Sequence, residues 1–368
     1  MKNKIFDNEN LYYIGGVVRD EILGVKSLDI DLTYDGDAIE FCKKLEASGE
    51  GKIIKINEAF NTVRMVIDGK EVDIASTRDE IYEKKGHLPT VTNIGCSLKQ
   101  DVLRRDFTVN SLAKSVKTGE ITDYTGGISD LNSKILRVLH DNSFTDDPTR
   151  IIRGLKFAVR FGFEMEPHTK FLQDKYLENV NYDMSYKRLK KELIETFNLN
   201  IQRAFDIFIN EKLYKLLTDK VINPPEYNIE QLINKYPVKN VWLVYLGWID
   251  DIDRLPLNKE EFKIIEDFRI LVTTQVEKDD FSIYKKFSGK SEEAILLYTI
   301  IKNSDDGLRY FSIKNISPSI SGNDLKVMGI APSAEYSECF DFVLKNKLKN
   351  PELTKDDEIK LAKQFFNM

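Results

Sequence analysis

The stretch Tyr13-Ile-Gly-Gly-Val-Val-Arg-Asp20, followed by Ser27-Leu-Asp-Ile-Asp-Leu32, constrains this chain more than any other. The first piece reads as a strand that runs into a Gly-Gly turn and opens a helix. The second sets Asp29 and Asp31 two apart, with Leu28, Ile30 and Leu32 alternating between them. On a strand, that period puts both carboxylates on one face and the apolar residues on the other. Adjacent carboxylates repel. A divalent cation such as Mg²⁺, which takes oxygen ligands and bridges to phosphates, is the economical partner for them. Gly15 and Gly16 let the backbone approach a phosphate, and the helix N-terminus offers free N–H groups. Arg19, one turn in, adds a fork of donors. A lone Gly-Gly turn or a lone Asp-x-Asp is commonplace. The two together, at this spacing, point to metal-assisted phosphoryl or nucleotidyl transfer with Asp29 and Asp31 as catalytic ligands.

Residues 11 to about 125 carry an α/β pattern. Gly36-Asp37 caps a helix expected over Ala38–Ala47. Strand-like runs follow at Lys52–Ile56, Thr62–Ile67 and Glu71–Ala75, with Asp68-Gly69 as a hairpin turn. In the last run Asp73 points away from Val72 and Ile74. It is either a third carboxylate beside Asp29 and Asp31 or an exposed strand residue. Arg78–Pro89 is charged, holds Gly86 and Pro89, and reads as a mobile loop with His87 facing solvent.

Arg104, Arg105, Asp106 and Asn110 crowd a segment that also has Phe107, Leu112 and Ala113 to bury. Buried charge needs partners. An ion-paired helix is the plain reading. A ribose and phosphate site is the sharper one, with Asp106 accepting from a sugar hydroxyl and Arg105 gripping phosphate. Asp123–Gly127 is a turn and an expected hinge at the end of the first domain. Beyond it the pattern is helical almost to the end.

Asp146-Asp-Pro-Thr-Arg-Ile-Ile-Arg-Gly-Leu-Lys-Phe157 begins a helix, with Pro148 suited to its first position. Asp147, Arg150, Arg153 and Lys156 recur at intervals of three and form a polar stripe. A carboxylate beside a guanidinium imitates a base edge. It accepts from the exocyclic amine of cytosine or adenine, while uracil and guanine present an oxygen there. A surface helix laced with ion pairs is the commoner use of such a stripe.

The 368 residues predict more than one domain, and 42% hydrophobic content with 31% charge describes an ordinary soluble protein. Net charge of −6 excludes a basic nucleic-acid coat, so any RNA contact must be local. Cys42, Cys96 and Cys339 have no metal spacing and suit a reducing cytoplasm as buried residues. The start of the chain lacks a signal-peptide pattern, and no apolar run is long enough for a membrane span.

Taken together, these motifs resemble the class II tRNA nucleotidyltransferase and poly(A) polymerase family. Gly15 to Asp20 is its Gly-Gly-x-Val-Arg-Asp opening, and Asp29 and Asp31 its metal pair. Arg104 to Asn110 matches Arg-Arg-Asp-Phe-Thr-x-Asn, and Asp147 to Arg153 matches Asp-Pro-x-Arg-x-x-Arg. Ser185, Arg188, Glu192 and Leu193 resemble its neck helix. A weaker echo at Ser321–Leu325 and Gly329–Pro332 resembles its tail. The departures are Asp146 where relatives have Glu, Lys156 for a frequent third Arg, and Ala331-Pro-Ser for Pro-Gly-Pro.

The resemblance implies an α/β head with a mixed sheet (1–135), then an all-α neck (136–200), body (201–316) and tail (317–368). It implies two Mg²⁺ ions at Asp29 and Asp31, with Asp73 as a possible further ligand. Gly15, Gly16, Arg19, Arg105, Asp106, Asn110, Arg153 and Lys156 then belong to the nucleotide site, with Asp147 and Arg150 as its template for C and A. Lys187, Arg188, Lys190 and Lys191 form a local basic face for the tRNA acceptor stem, although a solvated helix face is the default. Aromatic residues such as Phe205, Phe208, Trp242 and Trp248 are expected in core, and His140 and His168 in structural roles. The expected partners are the tRNA acceptor end and CTP or ATP, with no membrane and no obligate protein partner. Full CCA addition, A addition alone and poly(A) synthesis share these motifs. CC-only members of the family tend to lack a loop at this place, so the stretch Arg78–Pro89 disfavours CC-only addition, and its Arg-x-Glu-x-Tyr…Gly-x-Leu-Pro pattern also resembles relatives that add only A. An inactive RNA-binding relative is the alternative of another class, and a small-molecule nucleotidyltransferase ranks last.

Overall fold

The chain enters its first strand, β1 (Leu11–Ile14), and leaves it through Gly15 in a computed structural model that describes residues 7–27, 29–225 and 227–368. Gly15 has φ of 66°, which a residue without Cβ adopts freely, and α1 (Gly16–Ile22) starts at once. β2 (Asp31–Tyr34) and α2 (Ala38–Ala47) follow. The Asp37 carboxylate accepts from the N–H groups of Ile39 and Glu40. Such a cap contributes about 1 kcal/mol. Next come β3 (Lys52–Asn57), β4 (Thr62–Ile67) and β5 (Lys70–Ser76). Asp68 and Gly69, both at positive φ, form the tight turn between β4 and β5. Then β6 (Arg78–Ile81), β7 (Thr90–Ile94), α3 (Leu98–Leu103), β8 (Leu112–Ser115) and β9 (Ile121–Asp123) complete the sheet region.

Among the described residues the main sheet has the order β3-β4-β5-β2-β1-β8-β9. Only β2 and β5 run parallel, and their register sets Asp31 beside Asp73. Alternation decides the two faces. Val63, Met65, Ile67, Val72, Ile74 and Leu32 are buried with Ala38, Cys42 and Leu45 of α2. Arg64, Asp73 and Asp31 therefore point to the opposite face. Each leucine-sized side chain fully buried in that core stabilises the fold by about 1.5–3 kcal/mol.

The first compact unit, Met1–Lys220, continues with α4 (Gly127–Ser133), β10 (Ile135–Leu136), α5 (Ser143–Asp146) and α6 (Thr149–Phe161). β11 (Glu164–Met165), α7 (Pro167–Glu178), α8 (Tyr186–Phe197) and α9 (Ile201–Asn210) follow. α6 starts after Pro148 and stops at Gly162, which has φ of 70°. It buries Ile151, Ile152, Leu155 and Phe157 and packs against α8 and α9.

The second unit, Val221–Met368, is helical. It holds α10 (Ile229–Lys235), α11 (Val241–Leu246), α12 (Lys259–Thr273), α13 (Asp280–Phe287) and α14 (Glu292–Lys302). After them come α15 (Asp306–Ile313), α16 (Gly322–Val327), α17 (Glu335–Lys349) and α18 (Lys355–Phe365). Trp242, Leu243, Tyr245 and Leu246 are core. A separate cluster of Ile320, Leu325, Cys339, Val343 and Ala362 joins α16, α17 and α18. There the buried Glu358 carboxylate accepts from the N–H groups of Ser319 and Ile320 and pairs with Lys347.

Three expectations are corrected. The strand read over Ser27–Leu32 begins only at Asp31, and Leu28 lies outside the described residues. Its first pair with β5 is Asp31 with Asp73, and the Asp73 N–H donates to the Ile30 carbonyl at 3.0 Å. Arg78–Pro89 is not a free loop. β6 pairs with β7, and the connection docks through Gly86, whose N–H donates to Asp146 and whose carbonyl accepts from Ser185, both at 2.9 Å. Asp123–Gly127 is a capped turn inside the first unit. The Asp123 carboxylate accepts from the N–H groups of Thr125, Gly127 and Ile128.

Candidate active site

A cavity of about 520 Å³ gathers most residues that the sequence singled out. Gly15, Gly16, Arg19, Arg105 and Asn110 line one part. Asp29 and Asp31 line another, and Asp147, Arg150, Arg153 and Lys156 a third.

The Gly-Gly turn is tightly fitted. A Cβ on Gly15 would stand 3.0 Å from Arg105 Nη1 and 3.4 Å from the Asn110 carbonyl. Arg105 Nη2 donates to the fully buried Asp101 at 3.2 Å, while its buried Nε has no hydrogen-bond partner. A buried guanidinium N–H left unpaired beside a glycine turn fits an incoming anion. Arg19 Nη1 donates to Asn110 Oδ1 at 2.6 Å, and Nε and Nη2 donate to Asp20 at 2.8 and 2.5 Å. Its guanidinium also lies 5.0 and 5.1 Å from the ring centres of Phe157 and Phe161. Burial lowers the Arg19 pKa, with Asp20 opposing that shift.

Asp106 also lines the cavity. It is buried, and its oxygens accept from the Phe107 N–H, Asn110 Nδ2 and Arg153 Nη2, the last at 2.8 Å. These bonds make it the organiser of Asn110 and Arg153 rather than an open acceptor for a sugar hydroxyl. Burial raises the Asp106 pKa but is outweighed by Arg153 and the other donors, so the carboxyl stays below its ordinary value.

The carboxylates divide. Asp31, half-buried at the start of β2, has its pKa raised by burial and by the charge of Asp73. Asp29 is exposed at a bend before the strand. Asp73 does not stand free: Arg64 donates to it through Nε and Nη2 at 2.8 and 2.7 Å. Among the described residues no group of three or more His, Cys, Asp or Glu is arranged to hold a metal ion. The donor set that fits a hard cation is the oxygen pair Asp29 and Asp31, with remaining positions open to phosphate. A cation there would offset both effects that raise the Asp31 pKa.

Hydrogen bonds fix the side chains at the start of α6. Asp147 Oδ1 accepts from Thr149 Oγ1 at 2.6 Å, and Oδ2 accepts from Arg188 Nη2 at 2.5 Å. Arg150 donates to Ser143 Oγ at 2.7 Å, the Arg104 carbonyl at 3.1 Å and the Tyr82 hydroxyl oxygen at 3.3 Å. Lys156 is held between Glu192 and Glu195 at 2.6 and 2.9 Å. Arg188, expected on an outer basic face, instead points inward and lines the cavity. Lys187 and Lys191 remain exposed on α8, and Lys190 is half-buried.

The sequence reading missed Tyr82, Arg160 and Phe161, all of which line the cavity. Arg160 follows Lys156 by one further helical step, so the α6 stripe extended to it. Tyr82 stands in an Arg-x-Glu-x-Tyr pattern at Arg78–Tyr82, but nothing there gave it a site role, and its hydroxyl oxygen accepts from Arg150 Nη2 at 3.3 Å.

This fold and site define a nucleotidyltransferase: a mixed sheet with a Gly-Gly turn beside paired carboxylates, joined to a helix that offers a carboxylate and guanidinium pair. Residues 11–137 match the poly A polymerase head domain. An A-adding tRNA nucleotidyltransferase of Geobacter sulfurreducens is 33% identical over 96% of this chain. This chain spans 44% of that protein's length. A protein of the same description from Halalkalibacterium halodurans is 28% identical, over 97% of this chain and 89% of its own. A solved structure of a CCA-adding enzyme with ATP superposes with a TM-score of 0.76 at 26% identity, covering 97% of this chain and 90% of the other. The chain belongs to the tRNA nucleotidyltransferase and poly(A) polymerase family.

Proposed function

We propose that this chain transfers AMP, or CMP and AMP, from the triphosphates to the 3′ end of tRNA, releasing pyrophosphate. One observation carries this: the Gly15–Gly16 turn with Arg105, and the buried Asp147 and Arg150, line the same cavity as Asp29 and Asp31. Arg105 and the backbone at Gly15 and Gly16 hold the triphosphate. Arg19 braces the turn through Asn110. Asp147 accepts from the exocyclic amine of the base, and Arg150 donates to the adjacent ring position, so uracil and guanine are refused. Asp29 and Asp31 would hold Mg²⁺, which supplies charge neutralisation at the α-phosphate and a lowered pKa for the attacking 3′-hydroxyl. Family members typically use divalent metals. Asp73 is engaged with Arg64 and is not needed in this set.

The narrower activity is A addition to a tRNA that already ends in CC, favoured because the Geobacter and Halalkalibacterium relatives both carry the A-adding description. We keep the head, neck, body and tail division at 1–135, 136–200, 201–316 and 317–368 as the working domain scheme. The exposed Lys187 and Lys191 are the remaining candidates on α8 for acceptor-stem phosphates. Buried free cysteines suit a cytoplasmic setting. Among the described residues no helix is long and apolar enough to cross a membrane.

The test uses labelled tRNAs ending before the first C, after CC and after CCA, each given CTP, ATP or both with Mg²⁺. ATP incorporation on the CC end alone supports the A-adding reading, and stepwise C, C, A supports the full one. A long ladder of A on any RNA means poly(A) synthesis. Binding without incorporation leaves an RNA-binding relative.

A further inference from the structure

A second cavity, of about 450 Å³, is also lined by Asp31. Lys55, Asn57, Thr62, Arg64, Asp73 and Arg78 line it, and it shares Asp31, Arg78, Arg104 and Arg105 with the first. The nucleotide fills the first cavity, with its base at Asp147 and its phosphates at Gly15. An in-line displacement brings the attacking hydroxyl to the side away from the departing pyrophosphate. The acceptor strand therefore approaches Asp31 by a different route.

Strand register marks that route. Lys55 pairs with Arg64, Arg64 with Asp73, and Asp73 with Asp31. These residues form one straight row across β3, β4, β5 and β2, on the face opposite α2. Adjacent strands lie about 4.8 Å apart, so the row spans about 14 Å from the outer lysine to the catalytic aspartate. A register shift in β3 between Ile53 and Lys55 creates it. Ile53 faces Met65, and one residue later the extra Ile54 is left without a partner. Without that bulge Ile54 would oppose Arg64, and Lys55 would fall on the core face opposite Val63. Bulges beside active sites often re-aim one side chain in this way. Lys55 is exposed, and no carboxylate pairs with it among the described residues. Arg64 gives Nε and Nη2 to Asp73, while its Nη1 meets only Glu71 at 4.0 Å. Both cations thus retain donors toward the open face.

We propose that this row is the track for the 3′-terminal phosphodiesters of the RNA acceptor, with Lys55 as a direct phosphate contact and Arg64 positioned between the strand and Asp73. This rests on the transfer reading above and adds where the acceptor lies.

The experiment measures tRNA binding against salt, and KM for tRNA and for ATP, using tRNA ending in CC. The variants are Lys55→Ala, Lys55→Glu and Lys55→Arg. Lys44→Ala on α2, behind the sheet, carries the same charge change as a control. The expected result is a 3–10-fold rise in KM for tRNA with Lys55→Ala and a larger one with Lys55→Glu, rescue by Lys55→Arg, and KM for ATP within twofold. The slope of log K against log salt should fall by about 0.7 for the one contact removed from single-stranded RNA. Lys44→Ala should change none of these. If Lys55→Glu binds tRNA like the parent with an unchanged slope while the parent remains active, the track is wrong and the transfer reading stands. A parent that adds no nucleotide to any tRNA overturns both.

Discussion

Arg188 Nη2 and Asp147 Oδ2 meet at 2.5 Å, which ties α8 to the turn that starts α6. Thr149 holds the other carboxylate oxygen. The carboxylate plane is fixed before any base arrives, and lone pairs remain on both oxygens for an incoming amine. Removing the guanidinium in Arg188→Ala frees the carboxylate to rotate. We expect kcat/KM for ATP to fall about 10-fold, near 1.4 kcal/mol. Misincorporation of UTP and GTP should rise in single-turnover assays. Asp147→Asn should shift preference toward bases that present an oxygen, because the new amide can donate there.

Gly15→Ala places a methyl group 3.0 Å from Arg105 Nη1 at a backbone φ of 66°. The left-handed conformation alone costs about 1–2 kcal/mol in a residue with a Cβ. Thermal unfolding should show that loss. The displaced guanidinium should raise KM for the triphosphate more than it lowers stability, and a direct ATP titration separates the two effects.

Asp106→Ala leaves the Phe107 N–H, Asn110 Nδ2 and Arg153 without their acceptor. Loss of one partner from a buried charged cluster costs about 3 kcal/mol. Urea titration should show a lower midpoint with an unchanged slope. Asp106→Asn, which keeps acceptor geometry without charge, should lose less.

Burial, with Arg150 adding to it, lowers the His140 pKa below 6.5. The native state resists protonation at this site, so between the folded pKa and 6.5 the unfolded chain binds more protons. Stability contributed by neutral His140 is therefore present above 6.5 and lost as pH falls toward the folded pKa. Unfolding free energy measured at pH 7.5 and 5.5 should drop more in the parent than in His140→Gln. The imidazole NMR titration should place the midpoint below 6.5.

The parts of the fold that the sequence made legible are the ones decided locally. The glycine handover at Gly15 and the alternation from Thr62 to Ile67 each depend on residues within a few positions, and both stand where the pattern put them. Gly15, Gly16, Arg19, Asp147 and Arg150, which local motifs singled out, line one cavity. What was hidden depends on distant partners. β2 begins at Asp31, which pairs with Asp73, and not with the alternation around Leu28. β6 is charged and half-buried, and β7 is uncharged but mostly exposed, so no buried apolar period announced the ribbon. Lys187-Arg-Leu-Lys-Lys191 looks like a solvated face. Nothing in the run itself says that Arg188 turns inward, because the reason is Asp147.

The pairing of Asp106 with Arg153 also bears on how the polypeptide is made. Asp20 likewise has Arg160 at 3.4 Å, and the rings flanking Arg19 come from α6. A ribosome delivers Asp20 and Asp106 long before the cations and rings that complete their surroundings. The sheet can assemble as it emerges, but its polar centre stays unfinished until α6 has left the exit tunnel. A fragment ending at 137, where the head-domain match stops, would be frozen at that unfinished stage. The nascent sheet thus waits for α6.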